Sequence, residues 1–388
     1  MESSRSPNSS QYAGAKELLV FHNWYRNYHG YLASIVCLLG VIANLLNIAV
    51  LTRRNMISAT NCILTGLAIS DALTMAAYLP FALRFYVLYG PETTPERNTL
   101  TAVRFLLFYA CFSVVVHTVS IWMTVTLAIF RFIFIRYPRH SATLCSLGRA
   151  KVAVFMVYLA SLVACIPNLA TIDVQGEGTT PDHNAAVDDD TNNLTTATGQ
   201  GSEGSPIIWT VRFKQHSEAD RFLYSFNFWI QALLVKLLPC IGLTILSILL
   251  VRTMRKVDAR RRNLMVASDR QPVVTSRRHI CRASRNRKTN RTTRMLLVVV
   301  ALFLVTEFPQ GVTSVLCGIS RTFVEEVYLN LGDLIDILAL TNNGINFILY
   351  CTMSKQFRDA FVQFFFRSIT RPNSSHPVSQ PKKTSTYI

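Results

Sequence analysis

Residues 103–135 read VRFLLFYACFSVVVHTVSIWMTVTLAIFRFIFI, an almost unbroken run of apolar side chains. A helix that crosses the hydrocarbon core of a bilayer needs about 20 predominantly apolar residues, and this run exceeds that length. Half of the 388 residues are hydrophobic and 16% are charged, a balance that is typical of membrane proteins rather than of soluble globular domains. The stretch therefore predicts a membrane-spanning helix.

Other runs of similar composition lie on both sides of this one, and together they predict a bundle over residues 31–353. The seven predicted spans are residues 31–51, 62–83, 103–135, 152–172, 222–251, 295–319 and 328–353. Residues 354–366 then alternate polar and apolar side chains at helical spacing, which predicts a helix along the membrane surface. The predicted fold is an all-α membrane protein, a seven-transmembrane helix bundle with a short amphipathic eighth helix.

The distribution of Lys and Arg predicts the orientation of the bundle. Basic residues gather after spans one, three, five and seven, whereas the opposite ends carry acids such as Glu92 and Glu325. By the positive-inside rule, the basic ends face the cytoplasm. We therefore expect a plasma-membrane protein with an extracellular tail over residues 1–30 and a cytoplasmic tail over residues 367–388. The sequons at Asn8 and Asn193 lie on the expected outer side and are candidate glycosylation sites.

Two long connections between the spans differ in composition. Residues 173–206 are rich in Gly, Thr, Asp and Asn, so we expect an outer loop that is disordered at its centre. Residues 252–294 hold most of the excess positive charge of a chain with net charge +17. We expect this inner loop to face anionic lipid and a cytosolic partner rather than nucleic acid.

Small polar side chains inside several spans predict a buried hydrogen-bond network. Ionisable groups at the centre of a transmembrane helix cost about 2.5–3.5 kcal/mol each, so each one needs a reason. The candidate members are Asp71, Ser120, Asn44, Asn342 and Asn346. We expect them to surround the carboxylate with hydrogen bonds, together with water or a sodium ion near Asp71. The alternative is that they only hold the helices together.

A second group of ionisable residues lies toward the expected outer half of the spans and indicates a ligand pocket. Its members are His117, Lys236, Glu307, Asp333 and Asp336. If spans three, five and six adjoin, Lys236 and Glu307 neutralise each other with His117 nearby, and the cavity takes a polar or charged ligand. The alternative is a structural ion pair that never meets a ligand.

Two prolines inside the spans predict kinks. Proline removes a backbone donor and disturbs the helix around it, and both Pro239 in span five and Pro309 in span six have this effect. Pro309 follows Glu307 by two residues, so the kink frees carbonyl groups beside the expected pocket. Both prolines are candidate hinges.

The order of short motifs resembles that of class A (rhodopsin-like) G protein-coupled receptors. The motifs are GVIAN ending at Asn44, LAISD ending at Asp71, IFRF around Arg131, Pro239, TEFP ending at Pro309 and NFILY over Asn346 to Tyr350. Several depart from the family's usual forms: Phe130 precedes Arg131 where the family reads DRY, and Phe347 replaces the proline of NPxxY. Leu106 stands roughly where the family has a cysteine, so the usual outer disulfide is expected to be missing.

The stretches SIWMTVTLAIFRFIFIRYP and VTEFPQG resemble the myosuppressin and FMRFamide-like neuropeptide receptors of invertebrates. The resemblance implies an amidated peptide that ends in Arg-Phe-amide and a heterotrimeric G protein of the inhibitory type. The guanidinium group of such a peptide needs an acidic partner. We expect Asp336 or Asp333 to be this partner if Lys236 already neutralises Glu307, and otherwise Glu307. Candidate wall residues for the aromatic ring of the peptide are Phe308, Phe303 and Tyr86.

The resemblance also implies that the cytoplasmic end of the bundle binds a G protein. Arg131 and Tyr350 are expected to line an inner crevice that admits a helix of the G protein when span six moves outward. Arg131 lacks an adjacent acid, so we expect no ionic lock and a high ligand-independent signal. Serines and threonines in the tail are candidate phosphoacceptors for arrestin recruitment, and the ending Thr386, Tyr387, Ile388 fits a PDZ-type partner.

Three other classes of protein fit the sequence less well. A biogenic-amine receptor is the nearest alternative, but span three holds no Asp or Glu for an ammonium group. A channel or transporter also places charges inside spans, but the chain shows no repeat with broken helices. The sequence contains no HExxH, GxSxG or cysteine-cluster motif that would indicate an enzyme.

Overall fold

The computed structural model describes residue 12 and residues 14–178, 207–214, 217–268, 297–298, 300–302 and 304–366. Among these residues, seven helices are long and apolar enough to cross a membrane. They are α1 (Ala15–Leu51), α2 (Ala59–Leu88), α3 (Leu100–Arg136), α4 (Leu147–Thr171), α5 (Glu218–Val257), α6 (Val300–Ile319) and α7 (Arg321–Met353). An eighth helix, α8 (Lys355–Phe366), follows α7 after one residue. The predicted seven-helix bundle is confirmed.

Hydroxyl side chains fix the beginnings of five of these helices. In each case the side-chain oxygen of the residue before the helix accepts a hydrogen bond from the backbone amide three residues later, which satisfies one of the unpaired donors of the first turn. The capping residues are Ser58, Thr99, Ser146, Ser217 and Ser320. At α5, the Asp220 carboxylate also accepts from the Ser217 amide, so both ends of a capping box are present.

Wide π-helical turns interrupt three of the helices. They cover Leu83–Leu88 in α2, Gln231–Leu237 in α5 and Val324–Tyr328 in α7. Such a turn holds an extra residue and changes the direction in which the following side chains point, and it often lies at a functional site. Two of the candidate ligand residues, Tyr86 and Lys236, lie within these turns.

A two-stranded hairpin connects α4 to α5. Strand β1 (Ile172–Gly178) pairs antiparallel with β2 (Ile207–Phe213), with Ile172 opposite Phe213 and Gly178 opposite Ile207. The sequence analysis did not predict these strands, because the composition of residues 173–206 as a whole favours no structure. Strand β2 nevertheless has the β-branched and aromatic residues of a strand, IIWTVRF. We call this end of the bundle the hairpin end and the opposite end the α8 end.

The first helix begins much earlier than predicted. It starts at Ala15, so the second half of the segment expected to be an extracellular tail is helical. Asn23, Arg26 and Asn27 interrupt the apolar pattern there and concealed the helix. The extension is packed at the hairpin end, where His29 has no exposed surface.

The helices differ in how much of each is enclosed by the bundle. In the most apolar window of α3, 56% of the residues are buried, against 11% in that of α4. Helix α3 is therefore central and α4 peripheral. Helices α1 and α7 approach closely because two glycines face each other, and a Cβ atom on Gly40 would lie 3.5 Å from the Cα atom of Gly344.

Candidate functional site

Two carboxylates of α7 accept hydrogen bonds from tyrosines of α2 at the hairpin end. The Tyr86 hydroxyl donates to Asp333 Oδ1 at 2.8 Å, and the Tyr78 hydroxyl donates to Asp336 Oδ2 at 3.2 Å. Asp333 is 8% exposed. No ion pair joins either carboxylate to another of the described residues. Asp333 is thus buried and Asp336 half-buried. Each carboxylate lies beside a neutral hydroxyl group and is not in ion-pair contact with a described cation.

A histidine of α1 extends this arrangement. His29 Nε2 lies 2.8 Å from the Tyr78 oxygen, and His29 Nδ1 lies 3.4 Å from the Tyr25 oxygen. Tyr78 gives its only hydroxyl proton to Asp336, so His29 Nε2 must carry a proton and act as the donor. The sequence analysis missed Tyr78 and His29, although the spacing of Tyr25 and His29 was a signal for one helical face. We call His29, Tyr78, Tyr86, Asp333 and Asp336 the acid–tyrosine cluster.

Deeper in the bundle, a carboxylate of α6 pairs with a histidine of α3. Glu307 Oε2 lies 3.2 Å from His117 Nε2, and Glu307 is 2% exposed. Lys236 Nζ instead donates to Gln310 Oε1 at 3.1 Å. Lys236 and Glu307 therefore form no direct ion pair, because Gln310, one turn further along α6, accepts the hydrogen bond from the lysine. Gln310 is a member of this group that the sequence analysis missed.

Phe308, one of the two expected aromatic wall residues of α6, does not join this group. Phe308 is 47% exposed, because neighbouring residues of a helix point about 100° apart and Glu307 occupies the inner face. The expectation that Phe308 lines the pocket is wrong. Phe303 lies outside the described residues.

The polar network in the middle of the bundle centres on Asp71. Ser120 donates to Asp71 Oδ1 at 2.7 Å, and Asn346 Nδ2 donates to Asp71 Oδ2 at 3.0 Å. Ser70 joins this network because its hydroxyl oxygen lies 2.8 Å from that of Ser120. Asn44 is not a direct partner, since its amide donates to the backbone carbonyls of Gly40 and Asn343. Three helices, α2, α3 and α7, thus meet around one carboxylate.

A small polar cavity joins this network to the His117–Glu307 pair. It measures about 10 Å³, and its wall includes both carboxylates, Asp71 and Glu307. The other polar side chains around it are those of His117, Ser120, Thr124, Asn342, Asn343 and Asn346. This volume is close to the smallest that holds one water molecule. The network and the α3–α6 pair therefore share one polar space.

A larger cavity opens at the α8 end. It measures about 750 Å³, and Arg131 and Tyr350 both line it. Arg131 Nε and the Tyr350 hydroxyl are buried without a hydrogen-bond partner among the described residues. Cys145 lies beside Arg131, and burial raises the pKa of its thiol although the nearby guanidinium opposes this shift. The thiol therefore stays neutral and gives Arg131 no counter-charge.

The two prolines predicted to kink their helices lie in different surroundings. Pro239 is the second residue after the π-helical turn of α5, and the Pro309 carbonyl accepts a hydrogen bond of 2.6 Å from the Thr313 hydroxyl. The sequons at Asn8 and Asn193, and the ending at residues 386–388, lie outside the described residues.

Comparison with known proteins agrees with this architecture. A family model described as the serpentine-type seven-transmembrane G protein-coupled receptor chemoreceptor Srw matches residues 31–368. The G-protein coupled receptor dmsr-1 of Caenorhabditis elegans is 31% identical, over 89% of this chain and 69% of its own. The sex peptide receptor of Drosophila melanogaster is 28% identical, over 89% of this chain and 74% of its own.

The FMRFamide receptor of Drosophila melanogaster is 24% identical, over 87% of this chain and 54% of its own. These relatives confirm the resemblance to invertebrate peptide receptors that the motifs indicated. They are receptors rather than enzymes, as the sequence analysis expected of this chain. The family match spans most of the seven apolar helices and the polar groups between them. The chain therefore belongs to the serpentine seven-transmembrane G protein-coupled receptors and is a multi-pass membrane protein.

Proposed function

We propose that this chain is a plasma-membrane receptor for a short amidated neuropeptide that ends in Arg-Phe-amide. In this proposal the hairpin end is extracellular, the amino terminus lies outside and the carboxyl terminus lies in the cytoplasm. The concentration of Lys and Arg at the α8 end supports this orientation. The Drosophila relative named FMRFamide receptor supports this class of ligand.

The acid–tyrosine cluster is the observation that carries the proposal. A guanidinium group that leaves water needs a carboxylate partner, and its planar fork can meet two oxygens at once. Asp333 and Asp336 lie one helical turn apart and form no ion pair with a described residue. Their present hydrogen bonds come from hydroxyl groups of Tyr86 and Tyr78, which can rotate toward a new partner. We therefore place the peptide arginine at these two acids.

Glu307 is the weaker candidate for the arginine. Its carboxylate already accepts a bond from His117, and the cation of Lys236 lies one turn away beside Gln310. A second cation at this depth would meet the positive charge of Lys236. The arginine therefore stays at the hairpin end of α7 in our proposal.

Signalling in this proposal runs to the α8 end. Outward movement of α6 around Pro309, with Pro239 as a second hinge, widens the cavity lined by Arg131 and Tyr350 for a helix of an inhibitory-type G protein. Arrestin and a PDZ-type protein remain proposed partners of the tail. A sodium ion near Asp71 remains a proposed ligand of the polar network.

The test of the ligand class is a calcium assay in cells that express this chain with a promiscuous G protein. Peptides that end in Arg-Phe-amide should activate, whereas biogenic amines and unrelated peptides should not. Replacing the peptide arginine by citrulline keeps its shape but removes its charge, and we expect a potency loss of about tenfold or more. Activation by amines alone, with the receptor shown at the cell surface, would contradict the proposal.

Receptor variants then locate the arginine. Asp333→Asn and Asp336→Asn each remove one charge with little change in shape, and each should weaken the arginine peptide but not the citrulline peptide. Glu325→Gln is the matched control, because this acid is exposed on the same end of α7. If both aspartate variants respond like Glu325→Gln, the acid–tyrosine cluster is not the arginine site. Sensitivity of the signal to pertussis toxin tests the inhibitory type of G protein.

A further inference from the structure

Gln310 holds a buried amide whose nitrogen has no hydrogen-bond partner among the described residues. The residue is 5% exposed and lies one turn beyond Glu307 on the inner face of α6, toward the hairpin end. Its Oε1 atom accepts a 3.1 Å bond from Lys236 Nζ. An ammonium group can only donate, so the oxygen must face the lysine and the nitrogen must face elsewhere. A buried donor without a partner costs about 1–3 kcal/mol, which makes this amide a candidate for contact with a ligand.

The groups around Gln310 offer donors and acceptors side by side. Lys236 has three N–H donors, and the bond to Gln310 uses one of them. Glu307 supplies a carboxylate on the same face of α6, already in contact with His117. The positive charge of Lys236 and the negative charge of Glu307 offset each other. A ligand group that fits here is therefore neutral, with an acceptor and a donor close together.

We propose that Gln310, together with Lys236 and Glu307, binds the carboxamide group at the end of an amidated peptide. The carboxamide oxygen accepts from Gln310 Nε2 and Lys236 Nζ, and the carboxamide NH₂ group donates to Glu307. We call these three residues the amide subsite. The inference rests on the proposed function. In it, Glu307 keeps a free carboxylate out of the subsite, so only an amidated end reaches the Gln310 donor. A carboxylate has no N–H to donate and sets a second negative charge against Glu307.

The depth of the amide subsite links binding to movement of α6. The cavity beside Glu307 measures about 10 Å³, which is far too small for a carboxamide and the aromatic residue before it. Helices α5 and α6 are also in close contact here, since a Cβ atom on Gly311 would lie 3.7 Å from the Lys236 carbonyl carbon. The peptide end reaches Gln310 only when the two helices separate. A ligand that binds the separated state better shifts the population toward it.

The test compares one Arg-Phe-amide peptide with the same peptide ending in a free carboxylate, by competition binding to surface-expressed receptor. The wild type should prefer the amide. Gln310→Met keeps the length of the side chain but removes its donor, so the amidated peptide should lose about threefold to tenfold in affinity while the free acid changes little. Gln231→Met is the matched control, because the Gln231 amide points to the Cys165 thiol of α4.

For Gln310→Glu we expect the opposite change in the ratio of the affinity for the amidated peptide to that for the free acid. The new carboxylate still accepts from Lys236, so the variant keeps this contact, but it adds a charge that repels the free acid. The preference for the amide should therefore rise, whereas in Gln310→Met it should fall. Equal losses for both peptides in both variants would mean that Gln310 has only a structural role and would overturn the subsite.

The experiment distinguishes failure of the proposed function from failure of the amide subsite alone. If no Arg-Phe-amide peptide binds wild-type receptor at the cell surface, the proposed function and the amide subsite are both wrong. If the amidated peptide binds and its preference over the free acid is the same in the wild type, Gln310→Met and Gln310→Glu, only the amide subsite is wrong.

Discussion

Asn98 and Trp209 exchange two hydrogen bonds that fasten the hairpin to the start of α3. The Asn98 side-chain amide donates to the Trp209 carbonyl at 2.9 Å, and the Trp209 backbone amide donates to the Asn98 carbonyl at 3.1 Å. Asn98 is 6% exposed, so water competes little for these bonds. A single residue, through its side-chain amide and its backbone carbonyl, thus fastens β2 to the start of α3.

The first prediction concerns this attachment. Asn98→Ala removes the side-chain donor and leaves the Trp209 carbonyl without it, so the hairpin should lose roughly 1 kcal/mol of local stability. Hydrogen exchange of the backbone amides at residues 207–213 should become about fivefold faster. Asn27→Ala is the matched control, because the exposed Asn27 side-chain amide donates to the Asn23 carbonyl within the same helix, α1. Equal exchange rates in both variants would show that the side chain does not hold the hairpin.

The second prediction concerns the carboxylate at the centre of the bundle. Ser120→Ala removes the 2.7 Å bond to Asp71 and the 2.8 Å contact with Ser70. The buried carboxylate then loses a donor, which should lower receptor stability by about 1–3 kcal/mol. Thermal unfolding of purified receptor in detergent measures the effect.

Ser113→Ala is the control for this change on the same helix. The Ser113 hydroxyl donates to the Ala110 carbonyl within α3, so its loss should have little effect on the unfolding temperature. A similar decrease for both serine variants would mean that the bond to Asp71 adds nothing to stability.

The third prediction concerns the close approach of α1 to its neighbours. A methyl group on Gly40 would overlap the Met75 thioether and approach Gly344 of α7, so Gly40→Ala should cost about 1–3 kcal/mol through overpacking. Gly242→Ala is the control, since a Cβ atom there meets nothing within 4 Å. In a helix this control change should be neutral or stabilising.

The methionine provides a second check on the Gly40 prediction. Met75→Ala removes the obstructing side chain, so the double variant Gly40→Ala with Met75→Ala should be more stable than the sum of the two single changes predicts. Simple addition of the two effects in thermal unfolding would contradict the proposed overlap.

Long apolar runs made the helices predictable from the sequence, but not their partners. The spans were found because each exceeds the thickness of the hydrocarbon core, whereas polar residues such as Asn23 and Arg26 hid the start of α1. A span that is apolar on most faces does not show which face meets a neighbour. The partner of Glu307 could not be predicted because it depends on how each helix is rotated about its own axis. In the structure this partner is His117 rather than Lys236.

The residues that the sequence analysis missed are mostly neutral. Tyr78 and Asn98 carry no charge and match no motif, so only their buried hydrogen bonds reveal them. Gln310 lies within the VTEFPQG stretch, but its lack of charge gave no reason to single it out. His29 was missed because it lay before the expected first span. Charged residues such as Asp71, Asp333 and Glu307 were found because a charge inside a span is costly enough to be noticed.

The last prediction concerns Arg131 at the α8 end. Its Nε atom lies buried without a partner among the described residues, so we expect ligand-independent signalling above that of untransfected cells. Cys145→Asp places a carboxylate beside Arg131, where a pair that contributes about 1 kcal/mol to the inactive state should lower the basal signal roughly fivefold. Cys145→Asn has the same shape without the charge and should leave the basal signal unchanged. Equal basal signals in the two variants at equal surface expression would show that Arg131 does not control this equilibrium.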